Sequence, residues 1–534
     1  MDKDSKKFLS IMVITFVGMQ LSQYLFNKFT GAPVDTTQAA NTTFTENDAR
    51  PVQVIDDILV SNEIEVTLGL QKLVFHSKTG AIIEVKLLDQ YTTTDHDDFV
   101  RTLFKKPSGE QSLISDLLVL LNQNAEPEDF KKVDFIEGVD HFDVVKTSDR
   151  IQLTERYAPA SNYNLTKTVI IKNISDQEIK NVFYYTELKN SKEALIEGTK
   201  EGSRMFHGAG YYTITDKYKK FPFSSFKDSA LETKAPSWFA VTQRYFATGV
   251  FSNYEGKLYT RNSLSSKSNY VGFISTPMSL KANEALNLSQ KIYSGPETKD
   301  ELLKFAPGFE YIIDYGFFWP ISSFLMKGLD LFFGLTKNWG FSIILLTLAL
   351  RTSLQFVLNP LTSKTMENAK KMQELQPKFD AIKKNYANDQ MGMYQAVNQM
   401  YKENNVNPVS GLLLTLGNVF VQIIIQIPIL VAFYNLLMES FSLRQSAFLG
   451  GWLSDLSLPD PLFLIPIFVT LTGYAQVAFN PKPQDQNFQL MFKLLPIIMG
   501  LFSLKMPAAV GLYFVVNNIF SIINSLVTKR GNKV

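Results

Sequence analysis

Read for its hydrophobic pattern, the chain falls into two halves of opposite character. Up to about residue 300 the apolar residues come in short runs mixed with polar ones, and from about residue 340 they come in long stretches. Runs at 8–26, 338–360, 408–438, 462–480, 489–504 and 508–527 approach or exceed the ~20 residues that a helix needs to cross the hydrocarbon core of a bilayer. The pattern predicts a polytopic α-helical membrane protein with six spans.

The polar half predicts β-structure. Residues 64–68 alternate, 73–76 and 81–88 flank a Lys78-Thr-Gly80 turn, and further strand-like runs fall at 151–154, 168–171, 182–186, 211–215, 238–242, 247–251 and 269–274. Many short strands divided by turn residues indicate a sandwich of antiparallel sheets, placed here at 55–300. A stretch at 27–54, rich in Thr, Ala and Asn and without periodicity, reads as a flexible linker. All four histidines, His76, His96, His141 and His207, lie in the polar half. Asp95-His96-Asp97-Asp98 reads as an acidic surface loop, because neighbours on a strand point to opposite faces and cannot converge on one ion. No convergent catalytic set stands out, and the domain reads as a scaffold or docking surface.

Charge sets the expected topology. Lys3, Lys6 and Lys7 place a tail at 1–7 in the cytoplasm by the positive-inside rule. The run at 8–26 is longer than a usual signal core and has no A-x-A site after it, which favours an uncleaved anchor over a cleaved signal peptide. A connector at 301–337 contains Trp319 and, three residues apart, Lys327 and Asp330 in an apolar setting; a helix with that narrow polar stripe suits the membrane interface, with Trp319 and Trp339 at headgroup level. Residues 361–407 carry Lys364, Lys370, Lys371, Lys378, Lys383, Lys384 and Lys402, and Met366, Ala369, Met372 and Leu375 recur every three residues. This is a predicted cytoplasmic helical hairpin, readable as a simple solvated link or as a basic arm with exposed methionines for apolar clients. The loop at 439–461 has no lysine and is expected outside, 481–488 inside with Lys482, and the tail at 528–534 inside with Lys529, Arg530 and Lys533.

One residue breaks the apolar pattern. Arg351 sits near the middle of the span at 338–360, with Lys337 and Lys364 as the nearest charges. A guanidinium at that depth costs about 2.5–3.5 kcal/mol on insertion scales and roughly 10–17 in simulations, so it is expected to face a bundle interior or a watery cavity. Thr347, Gln422, Gln426, Gln476, Asn517 and Asn518 are further polar groups within the spans. Each alone is explained by an interhelical hydrogen bond worth about 0.6 kcal/mol; together with Arg351 they make a hydrated polar cavity.

Composition removes several classes of chemistry. There is no cysteine, which excludes disulfides, thiol nucleophiles, thiolate metal sites and a cysteine-linked lipid. The net charge of +2 gives no sign of direct nucleic-acid binding. No P-loop occurs, and the membrane half has no histidine and no pair of mid-span aspartates, which argues against a nucleotide-driven machine and against a metal or aspartyl intramembrane protease. The chain is expected not to be an enzyme, and no cofactor or metal is called for. A secondary transporter using Arg351 in a substrate path is the alternative, although the halves show no internal repeat.

Several motifs carry a resemblance: Asn338-Trp-Gly-Phe-Ser-Ile343 with Arg351 after it, Leu375-Gln-Pro-Lys378, Val406-Asn-Pro408, Gln426-Ile-Pro428, Leu443-Arg-Gln445, Asp460-Pro461, Leu512-Tyr-Phe-Val-Val-Asn517, Gln243-Arg-Tyr-Phe-Ala-Thr248 and Tyr293-Ser-Gly-Pro296. In order and spacing the chain resembles the YidC membrane protein insertases of bacteria with two membranes. The resemblance implies a periplasmic β-supersandwich and a five-helix core in the inner membrane, with a groove open to cytoplasm and lipid and closed to the periplasm. It implies insertion and folding of nascent membrane proteins, alone or with the Sec translocon, with the ribosome and membrane lipids as further partners. By position, Arg351, Thr347, Gln476, Phe514 and Asn517 would line the groove. Gln426, Pro428, Phe433 and Met491 would belong to an apolar slide for client helices. The chain departs from the family pattern after Asn407-Pro408, where Gln426-Ile-Pro428 arrives late and lengthens the third span.

Overall fold

The computed structural model describes residues 63–91, 100–103, 114–120, 126–191, 208–214, 217–222, 229–233, 237–243, 245–263, 268–313, 315–386, 389–404, 427–450, 452–479 and 486–531. The predicted segments 1–7, 8–26 and 27–54, the Asp95–Asp98 cluster, His207, the first part of the third span with Gln422 and Gln426, and the end of the tail lie outside the described residues. The chain divides into two compact units, Met1–Asp314 and Tyr315–Val534.

The first unit contains, among the described residues, one sheet of eleven strands and one of nine, with antiparallel pairing throughout. The strand-like runs read from the sequence fall on observed strands: the run at 64–68 lies in Glu63–Leu68, 151–154 in Ile151–Ser161 and 182–186 in Ile179–Ser191. Strand periodicity fixes what enters the core. In Ile151–Ser161, residues Ile151, Leu153, Glu155 and Tyr157 are all buried, so the two-residue repeat that buries three apolar side chains also carries a glutamate inside.

The neighbouring strands answer it. Phe142–Thr147 and Asn164–Asn173 flank Ile151–Ser161, with Lys146 opposite Leu153 and Lys167 opposite Tyr157. Both lysines therefore sit diagonal to Glu155 on its own face. Their ammonium groups lie 2.7 and 3.0 Å from the carboxylate. The other sheet contributes Tyr184, which donates to Glu155 at 2.9 Å, and the Lys167 ammonium lies 5.4 Å from the Tyr157 ring and 5.6 Å from that of Tyr184. A buried ion group thus ties the two sheets together. Burial alone would raise the Glu155 pKa; the attraction of Lys146 and then of Lys167 overrides it and holds the group at about 2.

The unit ends in aromatic packing. Helix α1, Lys299–Phe305, and a 3-10 turn at Phe309–Ile312 follow the last strand. Phe305 and Phe309 meet each other and Tyr293, and Trp238 lies edge-on to Phe309 and donates its indole N–H to the Pro307 carbonyl at 3.1 Å. Gly249 permits this approach, since a Cβ there would press into the Phe309 ring.

The second unit is helical: α2, Trp319–Thr336; α3, Trp339–Asn385; α4, Gln390–Glu403; α5, Ile427–Glu439; α6, Leu464–Phe479; α7, Gln486–Ser503; and α8, Ala508–Gly531. Helix α2 covers the predicted interfacial segment, with Trp319 exposed, while Trp339 stacks on Phe333 at 4.1 Å. Between α2 and α3, Lys337 takes a left-handed φ of 54° and the Asn338 side chain caps α3 by accepting from the Phe341 N–H.

The sequence places a boundary at 360, between a span and a hairpin. The structure has no helix end there: α3 runs for 47 residues, so the span and the first hairpin arm are one helix. Helix α4 is the second arm, capped by Asp389 and linked to α3 by Lys378 Nζ donating to Asn404 at 3.3 Å.

By length and composition, Trp339–Phe356 and Ala508–Val527 are long and apolar enough to cross a membrane, while Ile427–Glu439, Leu464–Phe479 and Lys493–Ser503 are shorter apolar helices. Helices α6 and α7 present exposed apolar side chains, among them Ile467, Phe468, Leu471, Leu494, Ile498 and Leu501, a surface matched to lipid.

The ion group generates the test for this half. Folding lowers the Glu155 pKa from 4.5 to about 2, so the stability it contributes is fully present above pH ~4.5 and is lost as the pH falls toward ~2. Replacing Glu155 with Gln leaves two buried lysines without their carboxylate and is expected to cost about 3–5 kcal/mol. Urea unfolding of the detergent-solubilised chain, followed by Trp238 fluorescence, measures both effects.

Candidate functional site

Helical spacing gathers the polar residues of the membrane half. Thr347, Arg351 and Gln355 lie four residues apart on α3 and therefore share one face. On α8 the same argument joins Tyr513 and Asn517, with Asn524 two turns further along. Helices α3 and α8 meet along these faces. Gln355 donates from Nε2 to Asn524 Oδ1, and Arg351 interacts electrostatically with Tyr513. Residue numbers rise together in the two pairs, so α3 and α8 run in the same direction.

Each member of the column has its own setting. Thr347 is wholly buried and returns its hydroxyl to the Ile343 carbonyl at 2.6 Å, which satisfies it within its own helix. Arg351 is half-buried and Tyr513 buried. The Asn517 side-chain oxygen is buried with no hydrogen-bond partner, a state that is costly in an apolar setting and is relieved by water or a ligand donor.

A second polar seam joins α8 to α6. Asn518 donates to Thr472 Oγ1 at 3.1 Å and lies 3.5 Å from the Val469 carbonyl. Close by, a Cβ on Gly511 would run into Ile465. From Gly511 to Asn518 and from Ile465 to Thr472 is the same advance, so α6 and α8 are parallel. Helix α7 crosses α6 the other way: Gly473 faces Pro496 and Gly500 faces Thr470. Gln476, half-buried, is one turn beyond Thr472 on α6.

One end of the column is closed. The segment at 440–463 lies at the N-terminal ends of α3, α6 and α8. Asn338 donates to the Ala447 carbonyl at 3.1 Å, Phe341 and Phe448 meet edge to face, and the Leu458 and Leu456 carbonyls accept from the Ala508 and Ala509 N–H groups at 2.8 and 3.1 Å. These bonds satisfy backbone donors that the start of α8 leaves open. Asp460 does the same for α6: its buried carboxylate accepts from the Leu462 and Ile465 N–H groups and from the Trp452 indole, at 3.0, 2.7 and 2.9 Å.

The other residues singled out in the sequence fall as follows. Phe514 is half-buried with its ring against that of Tyr513 at 5.4 Å. Phe433 is fully buried on α5, 4.7 Å from the Tyr513 ring; it supports the column from behind and offers no open sliding surface. Pro428 is half-buried in the first turn of α5, and Lys378 is exposed. Lys370 and Lys371 lie on α3 and Met491 on α7, with side chains outside the described residues, as is Gln426. The sequence reading missed Tyr513, Gln355 and Asn524, although the four-residue repeat from Thr347 through Arg351 reaches Gln355. Among the described residues there is no group of three or more His, Asp or Glu able to hold a metal ion.

Comparison with known proteins places this geometry in a family. The family model described as 60Kd inner membrane protein matches residues 331–534, and that described as YidC periplasmic domain matches residues 63–327. A protein of Stutzerimonas stutzeri named Membrane protein insertase YidC is 30% identical over 474 residues, which is 86% of this chain and 83% of that protein. One of the same name from Ectopseudomonas mendocina is 33% identical over 68% of this chain, which spans 60% of that relative's length. Among solved structures, one titled "Active YidC insertase crystal structure with the first transmembrane domain resolved" is similar over 94% of this chain and 99% of its own, at 18% identity and a TM-score of 0.35.

Two substitutions on adjacent residues test the column. Asn518→Leu removes the bonds to α6 and is expected to lower stability by about 0.6–1.7 kcal/mol. Asn517→Leu removes an acceptor that has no partner and is expected to be neutral or stabilising. Asp460→Ala uncaps α6 and releases Trp452, with an expected cost above the ~1 kcal/mol of a simple cap. Thermal unfolding midpoints in one detergent rank the three.

Proposed function

We propose that this chain, which belongs to the YidC family of inner-membrane proteins, inserts newly made membrane proteins into that membrane and assists their folding. The observation that carries the reading is the position of Arg351: a cation in a polar column between two apolar helices of membrane length, with 440–463 folded over one end.

The reading includes a topology. Six spans, with both termini in the cytoplasm and the sandwich in the periplasm, require α3, α6 and α8 to run inward and α7 outward. The parallel pairs α3–α8 and α6–α8 and the antiparallel pair α6–α7 support this arrangement. The cap at 440–463 then lies on the periplasmic side, and the column opens toward the cytoplasm.

The chemistry follows from that arrangement. A polar cavity reaching mid-membrane shortens the apolar path that a client's polar tail must cross. Arg351 attracts an acidic tail and keeps the cavity wet. A membrane potential positive outside favours outward movement of each negative charge by about 2.3 kcal/mol per 100 mV. The client's apolar segment moves sideways into lipid because burial there removes apolar surface from water. The column's residues hold and orient charge, and no bond is made or broken. The lysine-rich end of α3 suits the arrival side, where a ribosome and the Sec translocon would deliver clients.

Arg351→Ala is expected to reduce insertion of a short single-span client with an acidic tail by about tenfold or more, Arg351→Glu to reduce it further, and Arg351→Lys to retain part of it. Protease protection of the client tail in vesicles measures this. Unchanged insertion of every client by both the Ala and the Glu variants would end the role given to Arg351.

A further inference from the structure

The Arg351 column continues one turn past the arginine into Gln355, and there it meets a direct side-chain bond: Gln355 Nε2 donates to Asn524 Oδ1 on α8. Both residues are half-buried. The same helix is bonded on its adjoining face to α6, through Asn518 and Thr472. Helix α8 is therefore fastened by side-chain amides to a neighbour on each side. Helix α7 meets α6 through small and apolar surfaces instead, Gly473 on Pro496 and Gly500 on Thr470, where no polar group must be unbonded for the helices to slide.

Resting on the function proposed above, we infer that Gln355 and Asn524 form a stationary staple that closes the seam between α3 and α8 on the cytoplasmic side of Arg351. Separating the two helices would break this side-chain bond, whereas clients can pass elsewhere without breaking it. The staple keeps lipid chains out of the column and fixes the rotation of α3, and with it the face that carries Arg351 one turn before Gln355. Client segments enter and leave without parting α3 from α8. Gln355 and Asn524 are positioning residues in this account, since they act through Arg351.

The chain has no cysteine, so the double variant Gln355→Cys/Asn524→Cys in the full-length protein carries the only two thiols. In membrane vesicles the pair is treated with a short, reducible bifunctional thiol reagent. Insertion of an acidic-tailed single-span client is then compared before bridging, after bridging and after cleavage of the bridge. The expected result is efficient bridging, with the bridged protein inserting at least as well as the unbridged variant, in which the amide bond is missing. The inference is overturned if no bridge forms, or if bridging lowers insertion by about tenfold or more and cleavage restores it, which would show that the seam opens during the cycle. The function itself is read separately: failure of the unsubstituted protein to insert the client overturns the insertase reading, and the bridging yield still decides whether the seam is closed. An Arg351→Ala background supplies one further readout. A staple that works by orienting Arg351 leaves bridging efficient there and removes the preference for acidic over neutral tails.

Discussion

Keeping a guanidinium inside an apolar helix bundle is the constraint on which the membrane half depends. Arg351 is tolerable there only with polar company and with water admitted from one side. The neighbouring helices are arranged accordingly. Tyr513 supplies an electrostatic partner, Asn517 an unfilled acceptor and Gln355 a continuation of the polar face. The segment at 440–463 closes the end at which α3, α6 and α8 begin. A bundle open at both ends would leak, and one closed at both would bury the charge without water.

The two halves answer the problem of buried charge in different ways. In the sandwich, Glu155 is held between Lys146 and Lys167 with Tyr184 bonded to it. Two ammonium groups flank one carboxylate there and hold it ionised although it is fully buried. Such a group joins two sheets and has no vacancy for a visitor. The membrane half sets neutral polar groups beside its cation, among them Thr347, Gln355 and Asn517, which suits the role proposed for Arg351. The first arrangement suits a rigid scaffold and the second a site that fills and empties.

Much of this was legible along the chain. Two of the long apolar runs fell on helices long and apolar enough to cross a membrane, the alternating runs fell on observed strands, and Arg351 stood out because one charge in an apolar stretch needs no fold to be conspicuous. The family resemblance rested on motifs spread over both halves, and the family models match both. Other features were hidden. Pro360 read as the end of a span, yet α3 continues through it for another 25 residues. The resemblance alone assigned Phe433 to a client slide, and its burial against the Tyr513 ring could not be read from the chain.

Local periodicity and charge are properties of neighbours in the chain, so the sequence alone determined the kinds of elements, their approximate limits and the apolar stretch in which Arg351 stands. Which groups meet is a different matter. It depends on strand register and on the rotation of each helix about its axis, and both are settled by packing across hundreds of residues. Only the tertiary structure could therefore set Lys146 and Lys167 beside Glu155, bury Phe433 against Tyr513, and bring Gln355 to Asn524.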